Sequence, residues 1–95
     1  MKFDWDTAKD AANHAKHGLS FSTASLVFEA ADTFTWHDRR RDYGEDRHLI
    51  IGALPDGTVV VVAYTKREAV IRLISARKAS RRERRMYHAS IKKAP

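Results

Sequence analysis

The sequence predicts a small α+β domain, a twisted antiparallel β-sheet with two helices before its main strands and one after them. Three observations predict it. Residues 47–54 and 58–65 are β-prone runs joined by Pro55-Asp56-Gly57, where proline presets φ and glycine accepts positive φ, so they form a hairpin. A third run, 69–76, alternates Val70, Arg72 and Ile74 with Ile71, Leu73 and Ser75 after a turn at Lys66-Arg67-Glu68, which extends the hairpin into a meander. Helical spacing appears on either side of this block: Ala8, Ala11, Ala12 and Ala15 in front, and an Arg/Glu-rich segment behind.

The elements follow in order. Lys2 to Trp5 alternates polar and aromatic residues, a short strand with Phe3 and Trp5 on one face. Asp6 or Thr7 caps a helix over 7–17, and Gly18 after Lys16-His17 suits the left-handed residue that ends it. Ser20 or Ser22 caps a second, short helix whose Phe21, Ala24, Val27 and Phe28 form a core-facing stripe, with Leu19 stapling its entry. Residues 33–36 are β-prone, and the polar stretch 37–46 is a hairpin loop or long connection. After the meander, Ser80-Arg81-Arg82-Glu83 fits a capping box, so the last helix starts near Ala79 or Ser80 and runs toward Ile91. Its Arg81, Arg82, Arg84 and Arg85 surround the helix instead of forming one stripe, and Trp5, Trp36 and Tyr64 are expected in the core.

Ninety-five residues make a single domain, 1–95, with one modest core. At 43% hydrophobic and 32% charged the chain is globular. Without cysteine it has no disulfide, thiolate metal site or thiol nucleophile. Residues 1–12 lack the apolar core of a signal peptide, and the longest apolar run, 59–64, is too short to span a bilayer; a cytoplasmic protein with no membrane contact is expected.

Charge is unevenly placed. From Lys66 to Pro95 there are eleven Lys/Arg against Glu68 and Glu83, a net of +9, while residues 1–65 carry −3. Clustered cations point to a polyanionic partner, most plainly nucleic acid, whereas a solvated basic helix is the plain alternative.

Three clusters can carry chemistry. Lys16-His17-Gly18 sets an imidazole at a helix C-terminus, where it acts chemically or only caps carbonyls. Glu45 and Arg47 lie two residues apart at a strand start, hence on one face, as catalytic groups or as a surface ion pair. Arg72 and Arg77 flank Ile74-Ser75-Ala76, with Arg72 in mid-strand among aliphatic residues and able to pair with Glu45. His14 and His17 lack a third metal ligand at a suitable spacing, and neither a phosphate-binding glycine loop nor a serine nucleophile motif is present, so no cofactor or metal is expected.

These residues assemble into ordered motifs. Phe3, Trp5, Asp6, Lys9, Asn13, Lys16, His17 and Gly18 fit F-x-W-D-x-x-K-x-x-x-N-x-x-K-H-G; Gly44, Glu45, Arg47 and Gly52 fit a G-E-x-R strand opening; Arg72, Ile74, Ser75, Ala76, Arg77 and Ala79 fit R-x-I-S-A-R-x-A. On these motifs the chain resembles, over residues 3–87, the BrnT toxins of BrnT/BrnA type II toxin–antitoxin systems, small ribonucleases grouped with RelE-like toxins. Thr7 departs from the pattern, where many members carry proline.

The resemblance implies a RelE-like ribonuclease fold, metal-independent RNA cleavage that inhibits translation, and neutralisation by a BrnA-type antitoxin in a 2:2 hetero-oligomer that meets DNA only through the antitoxin. Such cleavage needs a base for the 2′-hydroxyl, cations for the phosphorane and an acid for the 5′-oxygen. Arg72 and Arg77 are the expected phosphate-binding pair, with Arg47 as a third; Glu45 acts as base or orients an arginine, and His17 is acid or base if it shares the cleft. Lys16, Lys78, Arg81, Arg82 and Arg85 are expected to bind RNA. The competing function is a non-catalytic basic module that holds nucleic acid or an acidic partner.

Overall fold

The computed structural model describes residues 1–40 and 42–93. Strand β1 (Lys2–Asp4) leads into helix α1 (Thr7–His17), then helix α2 (Phe21–Ala24), which runs on as a 3-10 helix (Ser25–Glu29). Strands β2 (Thr33–His37), β3 (His48–Ala53), β4 (Val59–Arg67) and β5 (Val70–Lys78) follow, and helix α3 (Arg81–Lys93) ends the described chain. The sheet order is β1-β5-β4-β3-β2. β2 to β5 form the antiparallel meander. β1 adds to β5 in parallel, with Lys2 beside Val70 and Asp4 beside Arg72, so the sheet is mixed instead of wholly antiparallel. A parallel neighbour needs a long crossover, and everything from α1 to β4 provides it. The connection between β2 and β3 is long, and its Arg41 lies outside the described residues.

Local chemistry sets the helix ends. The Asp6 carboxylate accepts a hydrogen bond from Lys9 N (3.0 Å), and Gly18, at φ 68°, donates its N–H to His14 O (2.8 Å), which fixes α1 at the bounds its caps predict. The capping box of α3 is complete: Glu83 N donates to Ser80 Oγ (3.1 Å) and Ser80 N donates to Glu83 Oε1 (2.8 Å).

Each sheet face has its own apolar cluster. On one face Leu19, Phe21, Ala24 and Val27 pack on Ile50, Val60, Val62, Tyr64, Ile71, Leu73 and Ala76, with Phe3, Trp5 and Phe28 at the margin. Close approach is enforced at Gly52, where a Cβ would meet Val27 Cγ2 and Thr33 Cγ2 at 2.9 Å. The other face buries a smaller set, Ile51, Val59 and Val61 under Ala79 and Tyr87 of the α3 region. The Tyr87 hydroxyl donates to Asp32 O (2.7 Å), tying α3 to the start of β2.

Helix α1 does not dock through its alanines, all of which are exposed. It docks through the polar stripe Asp10, Asn13 and His17, spaced i, i+3, i+7. Asp10 Oδ1 accepts from Phe21 N (2.8 Å). Asn13, buried, donates from Nδ2 to Leu19 O (2.9 Å) and Ala76 O (2.8 Å), and its Oδ1 accepts from Ala76 N (3.1 Å). Its amide thus stands in for a strand on the edge of β5 that the three-residue β1 is too short to cover.

The decisive irregularity lies between β4 and β5. Tyr64 pairs with Leu73 and Ala63 with Ser75, so Ile74 is an extra residue, a β-bulge. In a regular strand Arg72 and Arg77, five positions apart, would point to opposite faces. The bulge shifts the alternation by one, and both arginines face the side away from α1 and α2.

Candidate functional site

The sheet face away from α1 and α2 is laid out in rows by the strand register. Nearest α3 stand Phe34, Ile51, Val61 and Arg77; next come Trp36, Leu49, Ala63 and Ser75; farthest are Arg47, Thr65, Arg72 and Asp4. Asp38 N donates to Arg47 O (2.8 Å), extending the β2–β3 ladder into this third row. The small side chains of Ala63 and Ser75 leave its centre low. Helix α3 covers the first row, the Tyr87 ring meeting Phe34 edge-on at 5.9 Å.

The connection after β2 frames the far end. Asp38, 5% exposed, accepts from Arg40 Nε (2.9 Å) and Nη2 (2.8 Å) and from the Tyr43 hydroxyl (3.2 Å). The Arg40 guanidinium holds the Asp38 carboxyl far below the usual carboxylate range. Arg47 lies over the Tyr43 ring at 4.0 Å, a cation–π contact that fixes its plane. Glu45 is shared by two cations, Oε1 lying 3.6 Å from Arg47 and Oε2 3.6 Å from Arg67. Thr65 Oγ1 donates to Asp46 O (2.7 Å), which pins the Glu45 segment to β4. Among the described residues Arg47 Nε is buried with no hydrogen-bond partner.

Arg77 is engaged at the other end. Its Nη1 and Nη2 donate to Glu83 Oε1 (2.7 Å) and Oε2 (3.0 Å), a two-pronged pair that raises Arg77 and holds Glu83 at about 2. The positive charge of Arg40 opposes that rise at Arg77, so the two guanidinia share one field. The Arg77 side chain remains 43% exposed, and the pair occupies a minority of its N–H donors.

Of the residues the sequence singles out, the fold brings Glu45, Arg47, Arg72 and Arg77 to one face. Arg72 pairs with Asp4 (3.1 Å) instead of Glu45, because β1 lies against β5 at that level. His17 and Lys16 end α1, which packs against β5 together with the opposite core. The His17 side chain makes no hydrogen bond or ion pair among the described residues. Lys78 pairs with Val60, whose side chain lies in the helix-covered core, and so shares that side. On α3 the arginines are sorted after all: Arg81, Arg84 and Arg85 join His88 and Lys92 on the outward surface at spacings of three and four, while Arg82 alone turns toward β2.

Between β2 and α3 runs an open groove of about 690 Å³, with Ile51 and Tyr87 among its lining, Phe34 and Trp36 on one wall, Met86 and Ser90 on the other, and Arg77, Arg82 and Glu83 beside them. Trp36 is therefore not core; it is 43% exposed. Neither Asp38, an acid ahead of three arginines whose burial no periodicity signals, nor Asn13 shows its role in the sequence. Among the described residues no three His, Asp or Glu side chains converge where a metal ion could sit. No described helix is long and apolar enough to cross a membrane.

Comparison with curated proteins finds no match. Among solved structures, the fold is similar to the 1.1 Å crystal structure of the Brucella abortus ribonuclease toxin BrnT, with a TM-score of 0.64 and 28% identity, covering 85% of this chain and 99% of that one. Residues 5–83 match the family model described as ribonuclease toxin, BrnT, of type II toxin–antitoxin system. That span includes Glu45, Arg47, Arg72 and Arg77 together with the segments that carry them, and the chain belongs to the BrnT family of ribonuclease toxins.

Proposed function

We propose that the chain is a metal-independent endoribonuclease whose reaction takes place on the open sheet face, and that a BrnA-type antitoxin neutralises it in a 2:2 complex that touches DNA only through the antitoxin. The observation that carries the reading is the bulge at Ile74, which turns Arg72 and Arg77 to the same side as Arg47 and Glu45. The ribonuclease family and its antitoxin partner support it further.

In this reaction the RNA 2′-oxygen loses its proton and attacks the adjacent phosphorus, the bond to the 5′-oxygen breaks, and that oxygen takes up a proton. The products are a 2′,3′-cyclic phosphate and a 5′-hydroxyl. Arg72 and Arg77 bind the phosphate, since a guanidinium meets phosphate oxygens in a fork and stays charged throughout the reaction. The Arg47 guanidinium, held over the Tyr43 ring, adds its positive charge to the same side as charge grows on the phosphorane. Glu45, held by Arg47 and Arg67, orients these cations or takes the 2′-proton. Phosphate competes with Glu83 for Arg77, and the depressed Glu83 stays ionised at neutral pH, so the pair keeps Arg77 oriented until substrate arrives. His17 has no part in this arrangement, and Arg81 and Arg85 can follow the RNA backbone only beyond the site, around α3.

The test is cleavage of end-labelled RNA in excess EDTA by purified, antitoxin-free protein, beside Arg72→Ala and Arg77→Ala. Cleavage that leaves cyclic phosphate ends and falls on the order of 100-fold in each variant is expected. Full activity in Arg77→Ala, or dependence on added metal, would remove the assignment.

A further inference from the structure

We propose that the groove between β2 and α3 receives an acidic amphipathic helix of the cognate antitoxin, and that filling it seals off Arg77. The proposal rests on the toxin–antitoxin reading above and adds the place and chemistry of the contact.

Three large apolar side chains stand exposed on the walls of one groove: Phe34 at 38%, Trp36 at 43% and Met86 at 59%. Scattered apolar residues are ordinary on a surface, but a contiguous patch of this kind marks an interaction site. On one wall Arg82, Met86 and Ser90 follow each other at i, i+4, i+8, a run of about 12 Å along α3, long enough to lie beside two turns of a partner helix. A nucleobase would find stacking faces in Phe34 and Trp36 and donors in Arg77 and Arg82, so an RNA site is the rival occupant that the experiment below is arranged to separate.

Charge selects the partner's sign. Arg77 and Arg82 lie in the groove beside Glu83, and Arg81, Arg84 and Arg85 add to the positive field from the outward side of α3. Glu83 already displays the contact in miniature, a carboxylate against the Arg77 fork. A helix with apolar residues on one stripe and carboxylates beside it would cover Trp36 and Met86 and take up the remaining Arg77 donors. Arg47, Arg67 and Arg72 lie at the other end of the face, so antitoxin and RNA phosphate would contest Arg77 alone.

The experiment measures binding of the antitoxin from the same operon to the purified toxin by calorimetry, and RNA cleavage by the free toxin, for the parent, Met86→Glu, Met86→Leu and His88→Glu. Met86 is exposed, so folding is spared, and matching thermal melts check it; Ser90→Glu serves as a second groove variant. Weakening of antitoxin binding by tenfold or more in Met86→Glu and Ser90→Glu is expected, with Met86→Leu and the outward His88→Glu near the parent and RNA cleavage unchanged in all. Parental antitoxin affinity in both groove variants overturns the proposal, as does loss of RNA cleavage with antitoxin binding intact, which would make the groove an RNA site. If no variant and no parent cleaves RNA while the groove variants still lose the antitoxin, the docking stands and the nuclease assignment falls.

Discussion

Asn13→Ala removes one amide and orphans three backbone groups at once: Leu19 O, Ala76 O and Ala76 N. A buried backbone group left unsatisfied costs about 1–3 kcal/mol. Asn13 is 8% exposed, so water reaches the site only in part, and the three losses come to about 3–4 kcal/mol. A domain of this size has a total stability of about 5–10 kcal/mol, and each kcal/mol shifts its melting temperature by about 4–8 °C, so a fall of roughly 15–25 °C is expected. Asn13→Asp keeps an acceptor for Ala76 N but sets a carboxylate against two carbonyls, and should be at least as damaging. Ala76 adjoins Arg77, so RNA cleavage should fall in Asn13→Ala even below its melting temperature. Circular dichroism at 222 nm through a thermal ramp, with urea titration beside it, measures the effect. A drop under about 5 °C in Asn13→Ala would show that the amide is not what joins α1 to the edge of β5.

Acid should weaken the fold by a route that can be isolated. Glu83 is pulled from its ordinary 4.5 to about 2 by Arg77, so its pair contributes stability above pH 4.5 that is lost as pH falls toward 2. With Arg77 nearly half exposed the contribution is about 1 kcal/mol after screening; Glu83→Gln should flatten the pH dependence of melting between pH 5 and 2.5, and an unchanged slope would count against the pair. Asp38, depressed in the same direction by Arg40, adds to that acid sensitivity. Asp38→Asn forfeits part of the Arg40 and Tyr43 network, with an expected cost of about 2–3 kcal/mol. Because Tyr43 carries Arg47, the same variant should cut RNA cleavage about tenfold at a temperature where it is fully folded; parental cleavage would dissociate Arg47 from the chemistry.

Features encoded within a few residues were legible in the sequence. The Pro55-Asp56-Gly57 turn, the bounds of α1 and the Ser80/Glu83 capping box each rest on a side chain or a φ value close by in the chain, and each appears where those residues predict. Features that depend on distant partners were not. A three-residue β1 carries no sign of which strand it joins or in which sense, and Arg72 therefore found Asp4 instead of Glu45. The alanines of α1 suggested an apolar face, whereas polar hydrogen bonds to segments that arrive later in the chain decide which side is buried. Trp36 looked like core because aromatic residues usually are; its strand is an edge of the sheet, and α3 leaves that row uncovered. For the candidate site, the segments were visible as motifs, but their convergence depended on the bulge.

That bulge makes the interval between two arginines a matter of parity. Ile74 is valuable as a member of a count, whatever its side chain does, because five steps with one slip return Arg77 to the side of Arg72 and four regular steps would do the same without it. Loss of one residue together with the bulge is thus tolerable in principle, whereas healing the bulge at constant length would turn one arginine into the helix-covered core. Length and slip in this segment must therefore change together if both arginines are to keep the open face.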